Sequence, residues 1–353
     1  MKVAVYSIAL NEEKFVQRWY ESAKEADYLF IADTGSSDKT VEIARGLGIV
    51  CHIISVKPWR FDDARNASLA LLPEDIDYCI ALDLDETIQP GWRKELEKAH
   101  ANKVTRPRYM FTTTFNPDGS PGLQFSGIRI HARHGYRWQY PIHEVPNPYG
   151  IQETQQWVDI NIEHHPDQNK SRGQYLPLLA QSAAENPEDS RCSFYYGREL
   201  YFHGLYAEAT VEFKRYLKLK SATWIPERAA AMRYLAETEE SLAEAWLVKA
   251  VWTDPSRRES HVKLGEFYQK NGQFSKAKES VLSALKITEK PLDYFCEPWA
   301  WNANPHDVLA LAAYYEKDYK LALEHGKIAL SLDPDNERYR VNMGYYQSKF
   351  EEL

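Results

Sequence analysis

Between Val3 and Leu82 short apolar runs alternate with amphipathic stretches and polar turns. Val3 to Leu10, Tyr28 to Ala32, Val50 to Val56 and Tyr78 to Leu82 read as strands. Glu13 to Lys24 reads as a helix, because Phe15, Trp19 and Ala23 recur at helical spacing. Thr40 to Leu47 and Asp63 to Leu71 supply the next two helices, and Gly48 closes the former as a C-cap. Strands that alternate with helices predict a parallel sheet with crossover helices. Residues 105 to 165 are rich in Thr, Tyr, Phe, Pro and Gly and read as irregular strands.

The second half of the chain repeats. Gly197, Ala231 and Gly265 are each 34 residues apart, as are Ala209, Ala243 and Ala277, and Tyr216, Ala250 and Ala284. Small residues at a fixed step mark places where the two helices of a hairpin cross closely. A further copy, Ala310, Ala322 and Ala329, is in phase with Gly344 and is offset from the others by an insertion around Glu289 to Asn302. This period and pattern are those of tetratricopeptide (TPR) hairpins, with Gly204-Leu205-Tyr206 and Gly272-Gln273-Phe274 as turns and a polar last helix as cap. The stretch Tyr294 to His306, with Trp299 and Trp301, either folds back toward the active site or serves as a hairpin linker that packs two stacks. Two domains are expected, 1–170 and 171–353.

Composition narrows the class. Hydrophobic residues at 44% and charged residues at 27% describe a soluble globular protein rather than a disordered one. A net charge of −8 disfavours a dedicated nucleic-acid binder, although Arg129, His131, Arg133, His134 and Arg137 are locally basic and could meet an anion. Cys51, Cys79, Cys192 and Cys296 are far apart with no C-x-x-C pair, which fits free thiols in a reducing compartment. The apolar start is cut off by Asn11-Glu12-Glu13, too soon for a membrane span or a signal peptide. A cytoplasmic location is expected.

Four polar motifs fall at the carboxyl ends of the predicted strands, where open α/β sheets place ligands. They are Ala9-Leu10-Asn11-Glu12-Glu13, Asp33-Thr34-Gly35-Ser36-Ser37-Asp38, Phe61-Asp62-Asp63-Ala64-Arg65-Asn66 and Asp83-Leu84-Asp85-Glu86. In this order they resemble the family 2 glycosyltransferases of the GT-A fold, a Rossmann-like nucleotide-diphospho-sugar transferase, over roughly residues 1 to 165. With the repeats behind it, the chain is similar to bacterial and phage glycosyltransferases that carry C-terminal TPR units, the sublancin-type S-glycosyltransferases among their relatives.

The resemblance implies a hexosyltransferase-type enzyme that uses a UDP-sugar and Mn²⁺ or Mg²⁺, with inversion at the sugar. Hard phosphate oxygens suit a cation held by carboxylates. Asp85 is then the metal ligand and part of the catalytic apparatus, and Asp83 reaches the ribose or a metal-bound water, with Leu84 between them. Ala9, Asn11 and Glu12 line the base and ribose pocket; a helix cap is the other reading of Asn11. Asp33 selects uracil through its imide N–H or only closes an Asx-turn. Arg65 offers a forked donor to the diphosphate or holds the acidic loop by ion pairing. Asp38 is expected as an N-cap, Asn66 as a brace, and Glu86 either as a helix-entry carboxylate or as a site residue.

Trp138-Gln139-Tyr140-Pro141-Ile142-His143-Glu144 resembles the aromatic-then-His-Glu segment of the acceptor half. Glu144 is accordingly the candidate general base, or else a carboxylate paired with an arginine. His164, or its neighbour His165, stands where relatives place a histidine near the metal. Two features depart from the family pattern: the pair after strand two is Asp33-Thr34, and no Glu-Asp base motif stands in the acceptor half.

Three acceptor classes fit: a peptide or protein side chain, a glycan, and a modified nucleic-acid base. The repeats are read as acceptor recruitment or homodimerisation. Two rivals remain, a nucleotidyltransferase on a similar fold and a non-catalytic TPR adaptor with a degenerate transferase domain. Acidic Asn11-Glu12-Glu13 in place of a basic phosphate loop disfavours the first, and Asp83 with Asp85 disfavours the second.

Overall fold

The computed structural model describes residues 1–116, 119–167 and 173–352. The chain divides into two compact units, Met1–Ser182 and Ala183–Leu353. The division expected between residues 170 and 171 lies outside the described residues.

In the first unit, strands β1 (Val3–Ala9), β2 (Tyr28–Asp33), β3 (Val50–Ile53) and β4 (Tyr78–Ala81) alternate with helices α1 (Glu13–Ala23), α2 (Thr40–Gly46) and α3 (Phe61–Ala70). There follow β5 (Glu86–Ile88), α4 (Trp92–Ala101), β6 (Arg106–Thr112), β7 (Gln124–Gly127), β8 (Ile130–Ala132), β9 (Tyr136–Gln139), β10 (Val145–Pro148) and β11 (Gln155–His164). The main sheet runs β3-β2-β1-β4-β8 and is parallel except for β8. A second sheet runs β5-β11-β6-β7, and β9 pairs with β10. From β1 the chain steps outward to β2 and β3, then returns to β4 on the other side. In open α/β sheets such a reversal, here at the carboxyl ends of β1 and β4, is where ligands are generally bound.

The alternation along β1 shows why this sheet is continuous in hydrophobicity. Val3 and Val5 join one buried cluster, with Trp19, Ile31, Ile80 and Leu96. Ala4 and Tyr6 join a second, with Phe30, Cys79, Ala81 and Trp138. A strand covered on both faces has no solvent side and needs no polar alternation. Helix α1 buries Phe15, Val16, Trp19 and Ala23 along one stripe. Its Trp19 indole N–H donates to the Leu82 carbonyl at 2.9 Å, which ties α1 to the chain just beyond β4.

The helices of the remainder are α5 (Tyr175–Glu185), α6 (Ser190–Phe202), α7 (Tyr206–Tyr216), α8 (Ile225–Thr238), α9 (Ala243–Thr253), α10 (Arg258–Lys270), α11 (Phe274–Leu285), α12 (Ala303–Tyr315), α13 (Tyr319–Leu332) and α14 (Glu337–Glu351). From α6 to α13 they form four hairpins. Gly204 and Gly272 turn two of them at φ of 74° and 68°, the left-handed region that glycine enters without steric cost. The small-residue positions are crossings: a Cβ on Gly265 would lie 2.5 Å from Val281 Cγ2. Gly344 differs, because a Cβ there meets nothing within 4 Å. On α14 only Tyr339 and Tyr346 are buried, as befits a capping helix. No helix among the described residues is long and apolar enough to cross a membrane. All four cysteines are free and buried.

Candidate active site

At the ends of β1 and β2 the first two motifs lock together. Ala9 lies opposite Asp33 in the ladder, and its carbonyl accepts from Thr34 N–H at 2.9 Å. Asn11 adopts φ of 55°, and its Oδ1 accepts from Ser37 N–H at 2.8 Å. The cap of α1 is Glu12 rather than Asn11; Asn11 instead staples the loop after β2. Buried Asp33 accepts from Gly35 and Ser36 N–H through Oδ1, both at 2.9 Å, and from Ser36 Oγ through Oδ2 at 2.5 Å. It thus closes an Asx-turn in which both oxygens take part. Asp38 accepts from Thr40 N–H at 2.9 Å, yet the N-cap position of α2 falls on Lys39. The cap expected at Asp38 therefore acts from one residue earlier. Glu12 is buried, and its N–H donates to Thr40 Oγ1 at 2.8 Å.

The acidic motif after β4 is held by two arginines. Arg65 is on α3 and 3% exposed; its Nη2 donates to Asp83 Oδ1 at 2.6 Å and its Nε to Glu144 Oε1 at 2.9 Å. Arg129, just before β8, donates to Asp83 Oδ2 at 2.7 Å and also to Glu86 Oε1. Glu86 Oε2 accepts from Asp83 N–H at 2.9 Å. The result is an alternating chain: Glu144, Arg65, Asp83, Arg129, Glu86. Burial opposes ionisation of Asp83, but Arg65 and Arg129 together outweigh it and hold the carboxyl well below its usual range. At Glu86 burial prevails over Arg129, and the carboxyl is pushed up to about 7. Glu86 opens β5, not a helix, so the helix-entry reading is replaced by a buried carboxylate in the network.

Asp85 has a different partner, His164. His164 Nε2 lies 3.2 Å from Asp85 Oδ2, and the two side chains keep 27% and 17% exposure. The antiparallel β5–β11 ladder sets this contact by pairing His164 with Glu86. His165 N–H donates to the Asp85 carbonyl at 2.8 Å, while its ring stacks on Phe115 with centroids 5.2 Å apart. Burial disfavours the His164 cation, but the Asp85 hydrogen bond and charge outweigh it and raise its pKa.

Glu144 is 11% exposed, and among the described residues its hydrogen bond runs through Oε1. It follows a tight segment in which Tyr140 and His143 have φ of 80° and 52°; such backbone persists where surrounding contacts fix it. Asn66 braces this segment, exchanging two 2.9 Å hydrogen bonds with the Trp138 backbone. Leu84 is buried between the two aspartates.

The basic run 129–137 does not form a patch. Arg129 is committed to Asp83 and Glu86, and Arg133 donates to the Leu72 and Pro73 carbonyls at 2.9 and 3.2 Å. His131 is buried, its pKa lowered to about 4 by that burial. Sequence reasoning placed Arg129 in that run and missed its role, because its partners lie 46 and 43 residues away. An arginine beside an apolar strand was the available signal.

The donor set can be tested against a divalent cation. Among the described residues no three His, Cys, Asp or Glu side chains gather as a metal site. Asp85 and His164 supply one oxygen and one nitrogen, partly exposed and adjacent. Mg²⁺ and Mn²⁺ at phosphate-handling sites commonly take one or two protein ligands and complete their shell with phosphate and water. The pair fits such a cation only together with a diphosphate. Nearby, Arg65 Nη1 is buried with no hydrogen-bond partner among the described residues. An unpaired guanidinium N–H beside a carboxylate pair suits an anionic ligand.

Taken together, the first unit is an α/β domain with a mainly parallel sheet and an acidic motif at the end of its β4 strand. Residues 5–142 match the family model of glycosyl transferase family 2. An uncharacterized glycosyltransferase of Rickettsia bellii (strain RML369-C) is 29% identical over 110 residues, covering 31% of this chain. The chain spans 36% of the length of that relative. Among solved structures, the C-terminal part of a TPR repeat-containing protein from Cytophaga hutchinsonii is 16% identical with a TM-score of 0.40, covering 51% of this chain and 66% of that one. A thermophilic TPR protein of Thermus thermophilus is 21% identical with a TM-score of 0.34, covering 50% and 88%. The TPR-type organisation itself rests on the 34-residue spacing of Gly197, Ala231 and Gly265 and on the hairpins observed here.

Proposed function

We propose that the α/β unit transfers a hexose-type sugar from a UDP-sugar to a nucleophilic acceptor, with Mn²⁺ or Mg²⁺ held at Asp85 and His164. The observation that carries this reading is the Asp85–His164 contact at 3.2 Å, beyond the carboxyl end of β4. The family match over residues 5–142 supports it. When bound, the cation neutralises the diphosphate and so improves it as a leaving group.

The chain's own residues divide the remaining work. Ala9, Asn11, Glu12, Asp33, Asp83 and Leu84 shape the nucleotide side. Arg65 donates Nη1–H to a phosphate oxygen while its other nitrogens keep Asp83 and Glu144 in place. Glu144 Oε2, which makes no hydrogen bond among the described residues, takes the proton of the acceptor nucleophile as that atom bonds to the anomeric carbon and the carbon–phosphate oxygen bond breaks. The acceptor is a peptide or protein side chain, a glycan or a modified base; the dispersal of the 129–137 charges removes the feature that favoured the last.

The test screens the purified full chain against several nucleotide sugars and reads release of free nucleoside diphosphate. UDP-sugars should be turned over only with a divalent cation, and Asp85→Ala should lower the rate by about 100-fold or more. Turnover that survives both Asp85→Ala and chelation would remove the metal assignment.

A further inference from the structure

Three buried polar side chains form a line within the α/β unit: Tyr6 of β1, His131 of β8 and Trp138 of β9. Tyr6 and Trp138 sit in an otherwise apolar cluster with Ala4, Phe30, Cys79 and Ala81. The Trp138 indole N–H donates to Tyr6 Oη at 2.8 Å. Tyr6 Oη in turn lies 3.4 Å from His131 Nε2. His131 Nδ1 lies 2.8 Å from the Ala132 carbonyl oxygen, which can only accept. The neutral ring therefore carries its proton on Nδ1, and Nε2 accepts from Tyr6 O–H. Burial favours that neutral ring. The donors run one way, from Trp138 to Tyr6 to His131 to the Ala132 backbone.

A phenylalanine at position 6 would fill the same apolar space with no polar atom to satisfy. What the hydroxyl adds is an acceptor for the indole N–H, which fixes how the Trp138 ring is turned. That ring carries both members of the Arg65–Glu144 pair. The Arg65 guanidinium carbon lies 5.2 Å from its centroid, and the Trp138 backbone exchanges its two hydrogen bonds with Asn66, the neighbour of Arg65. In the β9–β10 ladder Trp138 faces Pro146 and Gln139 faces Val145. The turn that ends in Glu144 thus leaves from and returns to this one pair of strands. Phe61 N–H, at the start of α3, donates to the Pro141 carbonyl within that turn at 2.9 Å.

We propose that Tyr6 and His131 are positioning residues for the transfer reaction. By fixing the Trp138 indole, they keep the Glu144 carboxylate and the Arg65 guanidinium where the reaction uses them. Neither touches a substrate. The inference rests on the assignment of Glu144 as the base that takes the acceptor's proton. A misplacement of about 1 Å in a reacting group costs about 100-fold in rate, so a support two residues removed bears on turnover.

The test compares the unaltered full chain with Tyr6→Phe, Glu144→Gln and the double variant. It reads UDP released from UDP-glucose with Mn²⁺ present and water as the acceptor. Tyr6→Phe should lower kcat by about 10-fold and leave KM for UDP-glucose within about 2-fold. In the Glu144→Gln background the same change should cost less than about 2-fold, because residues acting through one carboxylate are not additive. A mere loss of folded enzyme would carry the full factor into both backgrounds, and that result overturns the proposal. Backbone hydrogen exchange of residues 138–146 is followed in the same proteins and needs no turnover. Tyr6→Phe should speed it by about 10-fold and leave β2 and α1 within about 2-fold; unchanged exchange at 138–146 overturns the proposal whatever the rates. A Glu144→Gln chain with its full rate, or no UDP release by the unaltered chain, instead removes the activity assigned to the unit, and the exchange measurement then decides whether Tyr6 fixes this segment. If Tyr6→Phe does not fold, His131→Leu, which removes the acceptor of Tyr6 O–H, takes its place with changes of the same sign. Loss of the folded state in both variants overturns the proposal, because the pair then serves folding alone.

Discussion

Removing Arg129 would leave Asp83 and Glu86 facing each other without a cation between them. Glu86 is buried and Asp83 is 30% exposed. Arg129→Met should therefore cost about 3 kcal/mol, the lower end for a broken buried pair; the shift in urea midpoint at pH 7 measures it. A change within about 0.5 kcal/mol would mean that the network contributes little to folding. His131 gives a pH dependence of defined sign. Its folded pKa of about 4 lies below its ordinary value of 6.5, so the unfolded chain takes up the proton first as pH falls. The stability it contributes is complete above pH 6.5 and is lost toward pH 4. Unfolding measured at about pH 7 and about pH 5 should show a smaller loss in His131→Gln than in the unaltered chain. Of these residues, the sequence made Asp83, Asp85 and Arg65 visible through motif position. It could not show that Arg65 joins Asp83 to Glu144, because the fold brings them together from 18 and 79 positions away.

Strand and helix limits followed the sequence closely where hydrophobic pattern is strong. Val3 to Leu10 was expected and Val3–Ala9 is found; Glu13 to Lys24 was expected and Glu13–Ala23 is found. Agreement weakens where an element is short or its partner is distant. The three residues of β5 carry no periodicity of their own and exist as a strand through β11. Helix α4 went unread although Trp92, Leu96 and Ala99 mark its buried stripe. The small-residue positions of the repeats can be tested one by one. Gly265→Ala should destabilise by about 1–3 kcal/mol, because the added methyl collides with Val281. Gly344→Ala, with open space around it, should instead stabilise α14 by about 0.5–1 kcal/mol through backbone entropy. Thermal unfolding of both variants decides, and equal effects at the two positions would refute the crossing argument for Gly265.

Each unit has its own buried clusters, one set around Trp19 and Trp138 and another around Leu247, Ala277 and Ala312. Denaturant should resolve two transitions rather than one. UDP with Mn²⁺ should raise the midpoint of only one of them; a uniform shift of a single transition would contradict this. The two-part organisation was legible because one half shows strand–helix alternation and the other a fixed 34-residue step. That Asp293 and Glu297 reach Arg257 and Arg233 was not legible, since acidic residues in a connection also suit a plain linker.

Between Trp157 and Asn161, β11 advances four residues while β6 advances two, from Arg108 to Met110. This bulge works as a ruler. Side chains on a strand alternate faces, so the length of chain set aside there decides whether His164 or His165 arrives beside Asp85. Deleting one residue among 158–160 would reverse the parity of everything downstream and present the wrong imidazole, whereas deleting two would restore it. A change of length some distance from Asp85 thus chooses which histidine the site receives.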